Sequence, residues 1–224
     1  MTPATLLPWL NVLLLDVGVL PLHASAFVWD GWSVGITGTA HSGKTGALLA
    51  AVEQGATPLG DDCVWRAPDG GLHGITVPVE VRLGYVRELP QLGARLPAGA
   101  VRRARAYEAA AGVLDRPLPA LSRKFARRAR VVADPGRLLG DYPIGRRIDC
   151  LFVSVCHPEP DIVVRDIPGS EARALLRDIQ MAEHQPVSTR YREMTAHGGG
   201  RSELLDRLEE LVSDRVDALV ATVE

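Results

Sequence analysis

Residues 38–45 read Gly38-Thr39-Ala40-His41-Ser42-Gly43-Lys44-Thr45: a glycine, four intervening residues, then Gly-Lys-Thr. The flanking residues supply the context. Upstream, residues 32–37 have the composition of a strand. They follow Asp30-Gly31, a strong two-residue hairpin turn, and a strand-like segment at 23–29. Downstream, residues 46–54 are helix-like and stop at Gly55, where a helix C-terminal glycine belongs. A short segment, 56–59, leads into Gly60-Asp61-Asp62 and a strand-like stretch at 63–66. Strand, loop, helix, strand predicts an α/β fold with parallel neighbours.

The pattern G-x-x-x-x-G-K-[ST] between a strand and a helix predicts a phosphate-binding loop. Gly38 and Gly43 allow backbone angles and close approaches that a side chain would block. The amides of Thr39, Ala40, His41 and Ser42 can then turn inward toward an anion, helped by the positive end of the following helix. Lys44 supplies a mobile charge for outer phosphates, and Thr45 offers a hydroxyl to a magnesium ion. Lysine is rare in this chain: of 25 basic residues only Lys44 and Lys124 are lysine. A chance match somewhere in a chain of this composition has a probability of about 0.002. His41 occupies a variable position of the pattern, so its backbone is expected to matter more than its ring.

Asp61 and Asp62 fall where a strand end should lie beside the loop. One carboxylate suits a magnesium site; the other suits acceptance of a proton from an attacking hydroxyl. A solvated Gly-Asp-Asp turn is the plainer reading, and only the neighbouring loop tips the balance toward chemistry. His23 has two readings: a satisfied residue on an apolar strand, or a group reaching the phosphates from the neighbouring strand.

The 224 residues suit one domain, 1–224, with a core at about 20–165 and C-terminal helices at about 170–224. Apolar residues make up 46% and charged residues 23%, ordinary for a chain that buries a core. A net charge of −2 gives no overall basic field for a nucleic-acid backbone, so none is expected as partner. Cys63, Cys150 and Cys156 form neither a disulfide framework nor a CxxC pair, which points to a reducing, cytoplasmic setting. The apolar stretch 6–22 is interrupted by Pro8, Asn11, Asp16 and Pro21 and is expected to be a buried strand or helix, not a membrane span.

Farther along, residues 72–83 read as short strands, 99–113 as an Ala- and Arg-rich helix, and 148–155 and 161–164 as two more strands. Residues 170–184 predict a helix capped by Ser170, Gly198-Gly199-Gly200 a break, and 202–223 an amphipathic helix. The basic run Arg123, Lys124, Arg127, Arg128, Arg130 is either the wet face of a helix or a patch for phosphate or an acidic peptide. Asp149 precedes its strand, so it is left out of the site.

Leu22-His23-Ala24 before a hairpin, the loop at 38–45, and Gly60-Asp61-Asp62-Cys63-Val64 after a Gly55-terminated helix together resemble the catalytic domain of the HPr kinase/phosphorylase family. Similar kinases act in bacterial peptide-biosynthetic clusters, including those modifying lasso-peptide precursors. The resemblance covers residues 20–66. It implies a P-loop-containing, mixed-sheet fold like that of phosphoenolpyruvate carboxykinases, with flanking helices. It also implies ATP- and Mg2+-dependent phosphoryl transfer to a hydroxyl of a peptide, protein or small molecule. Asp62 becomes the general-base candidate, with Asp61, Lys44 and His23 assisting, and Thr45 and Asp61 are the metal candidates. Members often assemble, which leaves a homo-oligomer open; the sequence itself does not fix the oligomeric state. The family's later glycine-rich signature is matched only by Glu80-Val81-Arg82, and no counterpart of the amino-terminal domain of the bifunctional enzymes is seen; HPr as substrate and the reverse phosphorolysis are not carried over. Arg82 is a candidate phosphate or substrate contact. A non-catalytic nucleotide sensor and a plain nucleoside triphosphatase remain the rival readings.

Overall fold

The computed structural model describes residues 3–143, 145–155, 163–195 and 203–223. The strands are β1 (Leu20–Leu22), β2 (Ala24–Trp29), β3 (Trp32–Gly38), β4 (Thr57–Gly60), β5 (Val64–Arg66), β6 (Gly71–Gly74), β7 (Val79–Arg82), β8 (Arg130–Ala133), β9 (Arg146–Arg147) and β10 (Cys150–Ser154). The helices are α1 (Pro3–Asp16), α2 (Lys44–Glu53), α3 (Leu83–Glu88), α4 (Pro90–Arg95), α5 (Ala98–Leu114), α6 (Pro119–Arg128), α7 (Pro135–Leu138), α8 (Gly169–Thr195) and α9 (Glu203–Val223). No helix among the described residues is long and apolar enough to cross a membrane.

The architecture is mixed α/β. Its central sheet has the order β10-β3-β2-β4, and only the β10–β3 pair is parallel. A second sheet, β1-β5-β6-β9, and the β7–β8 ribbon are antiparallel. The β2–β3 hairpin closes at Trp29 opposite Trp32 across Asp30 and Gly31, which both have positive φ, +48° and +84°. That is the turn geometry whose twist matches the flanking strands.

Side-chain alternation along β2 and β3 splits the molecule into two apolar layers. Ala24 and Ala26 face one layer, with α1, α8, α9 and the second sheet, where Leu15, Leu176, Val216 and Leu219 have no exposed surface. Phe27, Val34 and Ile36 face the other, with α2 (Leu48, Leu49) and the β7–β8 ribbon. The stripe expected along the last helix is present at Leu208, Val212, Val216, Leu219 and Val220. Arg177 donates to both carboxylate oxygens of Asp217 at 2.9 Å, joining α8 to α9.

Several expectations need correction. The strand before the glycine-rich loop and the strand after its helix are not neighbours. β3 and β4 run the same way, but β2 lies between them, antiparallel to both. The hairpin gives one edge of β3 to β2 and β10 takes the other, so β4 pairs with the free edge of β2. Residues 163–164 are in no strand, and 161–162 lie outside the described residues. Ser170 is inside α8, not its cap: the helix begins at Gly169, with Ala172 N–H donating to Pro168 C=O, and it continues to Thr195. Residues 122–132 are the end of α6 followed by β8. Cys156 and the triple glycine lie outside the described residues.

Where β4 passes β6, two glycines allow the crossing. A Cβ at Gly74 would lie 2.0 Å from the Leu59 carbonyl oxygen and 2.7 Å from the Gly60 Cα. This contact sets the level at which the chain leaves β4 and enters Asp61. Gly74→Ala is expected to cost at least about 2 kcal/mol of stability, as overpacking against backbone does. Denaturant unfolding with an unchanged wild-type midpoint would contradict it.

Candidate functional site

Between β3 and α2 the glycine-rich loop is built from unusual backbone. Gly38, His41 and Gly43 have φ of +155°, +68° and +94°. Gly43 also occupies the N-cap position of α2. At Gly38 no side chain fits, since a Cβ would stand 2.2 Å from the Ser154 carbonyl oxygen and 2.7 Å from Ser42 Oγ. Ser154 ends β10, opposite Gly38 in the parallel register, and its hydroxyl donates to the Ser42 carbonyl at 2.6 Å. Strand β10 therefore buttresses the loop from outside.

Lys44 is buried, and its ammonium donates to the Gly38 and Thr39 carbonyls at 2.8 Å each, folded back over the loop. Ser42 Oγ is buried without a hydrogen-bond partner. Thr39 and Ala40 complete the loop, and Thr39 C=O also accepts from Ser42 N–H at 3.2 Å. At the loop's rim an Arg82 guanidinium nitrogen lies 3.0 Å from His41 Nδ1.

Asp61 is 3% exposed. Its carboxylate accepts from the Ser25 hydroxyl at 2.5 Å, and from the Thr45 hydroxyl at 3.1 Å to each oxygen. Ser25 is available because β2 directs it, like Phe27, to the α2 side of the sheet, and Thr45 lies in the first turn of α2. Three elements thus meet at one carboxylate. Burial raises its pKa above the ordinary 3.8; the Ser25 and Thr45 hydrogen bonds oppose this, and the neighbouring Asp62 charge adds to it. Tyr142 stands near enough that burial, with the Asp61 charge second, pushes its phenol up to about 12, so it stays protonated.

Asp62 is different. It has φ of +63°, and Cys63 N–H donates across it to the Asp61 carbonyl at 2.7 Å, closing a three-residue turn. A side chain in this left-handed region costs free energy that surrounding contacts must offset. The turn directs the two carboxylates apart, Asp61 inward and Asp62 outward, with the latter's side chain 64% exposed. His23, at the β1–β2 junction, has Nδ1 3.3 Å from Asp62 Oδ1 and Nε2 3.8 Å from Glu183 Oε1 on α8. His23 C=O also accepts from the Thr37 hydroxyl at 3.1 Å.

All the residues expected from the sequence gather here, with Arg82 added at the rim. Asp149 does not: its carboxylate accepts from Ser33 N–H at 2.7 Å, at the opposite end of β3. Sequence reasoning missed Ser25, Tyr142, Ser154 and Glu183. Ser25 carried a signal, being the one polar residue in Ala24-Ser25-Ala26-Phe27-Val28; the other three carry none that is local.

The residues present fit a polyphosphate with a bridging cation. Gly38 lets the loop pack directly on β10, Ser42 Oγ has no hydrogen-bond partner among the described residues, and a hydroxyl and a carboxylate, Thr45 and Asp61, adjoin the loop. Among the described residues no group of three or more His, Cys, Asp or Glu is arranged to hold a metal alone. A cation here would need oxygens from its ligand, as magnesium usually does. Comparison with protein-family models, with curated proteins and with solved structures returns no match for this chain.

The raised Asp61 pKa gives a signed prediction. The fold favours the proton on this carboxyl, so its charge burdens the ligand-free protein progressively as pH rises from 3.8 to the raised value, and by a constant amount above it. Asp61→Asn should therefore gain stability relative to wild type between pH 4 and pH 7 without ligand. Unfolding free energies that differ equally at both pH values would contradict the assignment.

Proposed function

We propose that this chain is a nucleoside-triphosphate-dependent kinase acting on a hydroxyl, similar to the catalytic domain of HPr kinase/phosphorylase. The observation that carries the reading is the division of labour between adjacent carboxylates. Asp61 is sealed against Thr45 beside the glycine-rich loop, while Asp62 points to solvent with His23 behind it.

In this reading the amides of residues 39–43 and the Lys44 ammonium hold the phosphates of ATP. Lys44 exchanges its carbonyl partners for phosphate oxygens. Thr45 and Asp61 would hold magnesium, which neutralises charge on the phosphates and aligns them. Asp62 receives the proton of the acceptor hydroxyl as that oxygen forms its bond to the terminal phosphorus. The bond from that phosphorus to the bridging oxygen breaks, and the diphosphate leaves. His23 positions Asp62 through Nδ1, and Glu183 steadies the far side of the ring. Arg82 guards the rim. Most of the acceleration in such transfers comes from positioning and charge neutralisation, which suits a site built of backbone amides and fixed charges.

The exposed face of Asp62 supports an acceptor larger than water, because nothing among its described contacts excludes a peptide or small molecule from it. The cytoplasm, where triphosphate and magnesium are abundant, is the setting this chemistry suits.

Two variants test the reading. Lys44→Ala should weaken ATP binding in calorimetry, whereas Asp62→Asn should leave binding intact and reduce phosphoryl transfer by about 100-fold or more, the scale of a lost general base. Full transfer by well-folded Asp62→Asn would remove the base. Phosphate release with no phosphorylated acceptor would make the chain a triphosphatase, and saturable binding with neither product would make it a sensor. Glu183→Gln, which keeps the size and removes the charge, should lower the rate of transfer while leaving ATP affinity unchanged. An unaltered rate would remove Glu183 from the site.

A further inference from the structure

Residues 98–130 carry eight arginines and Lys124 against Glu108 and Asp115, a net +7, although the whole chain is −2 and its remainder therefore −9. This segment is a helical hairpin, α5 and α6, followed by β8. Its construction is rigid. Tyr107 on α5 stacks on Phe125 of α6 with ring centres 5.8 Å apart, and the buried Ser122 hydroxyl donates to the Ala111 carbonyl at 2.9 Å. With that face fixed inward, Arg123, Lys124, Arg127 and Arg128 are all exposed. None of the four forms an ion pair among the described residues. The two acids of the hairpin are turned elsewhere: Glu108 pairs with Arg87 of α3, and Asp115 accepts from Ser122.

Arg123 with Arg127, and Lys124 with Arg128, are like-charged pairs four residues apart, a spacing that destabilises a helix. A wet face does not require this; solubility is served as well by mixed signs. The placement supplies the reason. Helix α6 runs into β8, where Arg130 pairs in register with Arg82 of β7, and Arg82 meets His41 in the glycine-rich loop. On the other side α3 links the same elements: Tyr85 lies against Gly46 in α2, and Arg87 holds α5. The basic row therefore begins at the edge of the candidate site and leads away from it.

We propose that this face of α6 docks an acidic peptide segment flanking the hydroxyl to be phosphorylated. The proposal rests on the kinase reading and names its substrate class. The six residues from Arg123 to Arg128 span about 9 Å, the length of about three residues of extended peptide. The acidic residues should accordingly stand within about three positions of one another and to one side of the accepting Ser or Thr. Complementary charge of this kind sets partner choice and association rate more than it adds raw affinity.

The test uses the full chain and three fluorescein-labelled twelve-residue peptides, each with one serine followed by five Glu, five Gln or five Lys. Binding is read by anisotropy with a non-hydrolysable ATP analogue and magnesium present, alongside a labelled oligouridylate of matched charge. The Glu peptide is expected to bind about 10-fold or more tighter than the Gln peptide at low salt and to lose that advantage as salt rises. In the variant Arg123→Glu/Lys124→Glu/Arg127→Glu/Arg128→Glu the preference should invert toward the Lys peptide, with calorimetric ATP affinity unchanged. Should that variant fail to fold by circular dichroism, the milder Arg123→Gln/Arg127→Gln is expected to lose about half of the discrimination, measured as a logarithm. Equal binding of Glu and Gln peptides would overturn the proposal, as would tighter binding of oligouridylate than of the Glu peptide, or an unaltered preference in a folded variant. ATP binding without peptide discrimination removes the docking surface alone. Discrimination without any nucleotide binding removes the kinase reading and leaves an acidic-peptide surface.

Discussion

The site hangs on the hydrogen bonds that Ser25 and Thr45 donate to one buried carboxylate. Asp61 joins the middle of β2, the first turn of α2 and the end of β4; the two strands are already paired in the sheet, while α2 meets them chiefly through apolar packing. Hydrophobic contacts are non-directional and tolerate small slides. Short hydrogen bonds to a charged group do not. Placing the carboxylate here has an electrostatic cost, visible in its raised pKa, and a nearby cation would offset it. The proposed cation ligand and the joint that registers the three segments are thus one residue.

Local chemistry made part of this arrangement legible in advance. Asp30-Gly31 announced a tight hairpin, Gly55 a helix stop, and the spacing of Gly38, Gly43, Lys44 and Thr45 a strand–loop–helix unit, because each depends on backbone conformations that few residues adopt. The clustering of His23, Asp61 and Asp62 beside the loop also follows from segments close in sequence. Strand order did not follow. The insertion of β2 between β3 and β4 is a matter of which edge each chain segment finds, and residues 56–60 carry no mark of it.

The remaining parts of the site come from far away. Ser154 reaches the loop from 112 residues beyond Ser42, Glu183 approaches His23 from an α-helix 160 positions on, and Tyr142 lies in an irregular stretch. Nothing in the immediate neighbourhood of these residues distinguishes them from ordinary surface or core positions. Their roles come from tertiary placement alone. By contrast, the basic run was visible in composition; what composition could not supply was the pairing of Arg130 with Arg82, the residue that meets His41.

The parallel pairing of β10 with β3 has a kinetic corollary. Every other partner in the central sheet is within about forty residues along the chain, but Cys150 must find Val34 and Ser154 must find Gly38. Closing so long a loop is entropically slow, and rates fall as such distant pairings accumulate. During synthesis the Ser42 carbonyl and one edge of β3 lack these partners until residues 150–154 have been made. A chain stopped short of them has the motif but not the brace on its outer side.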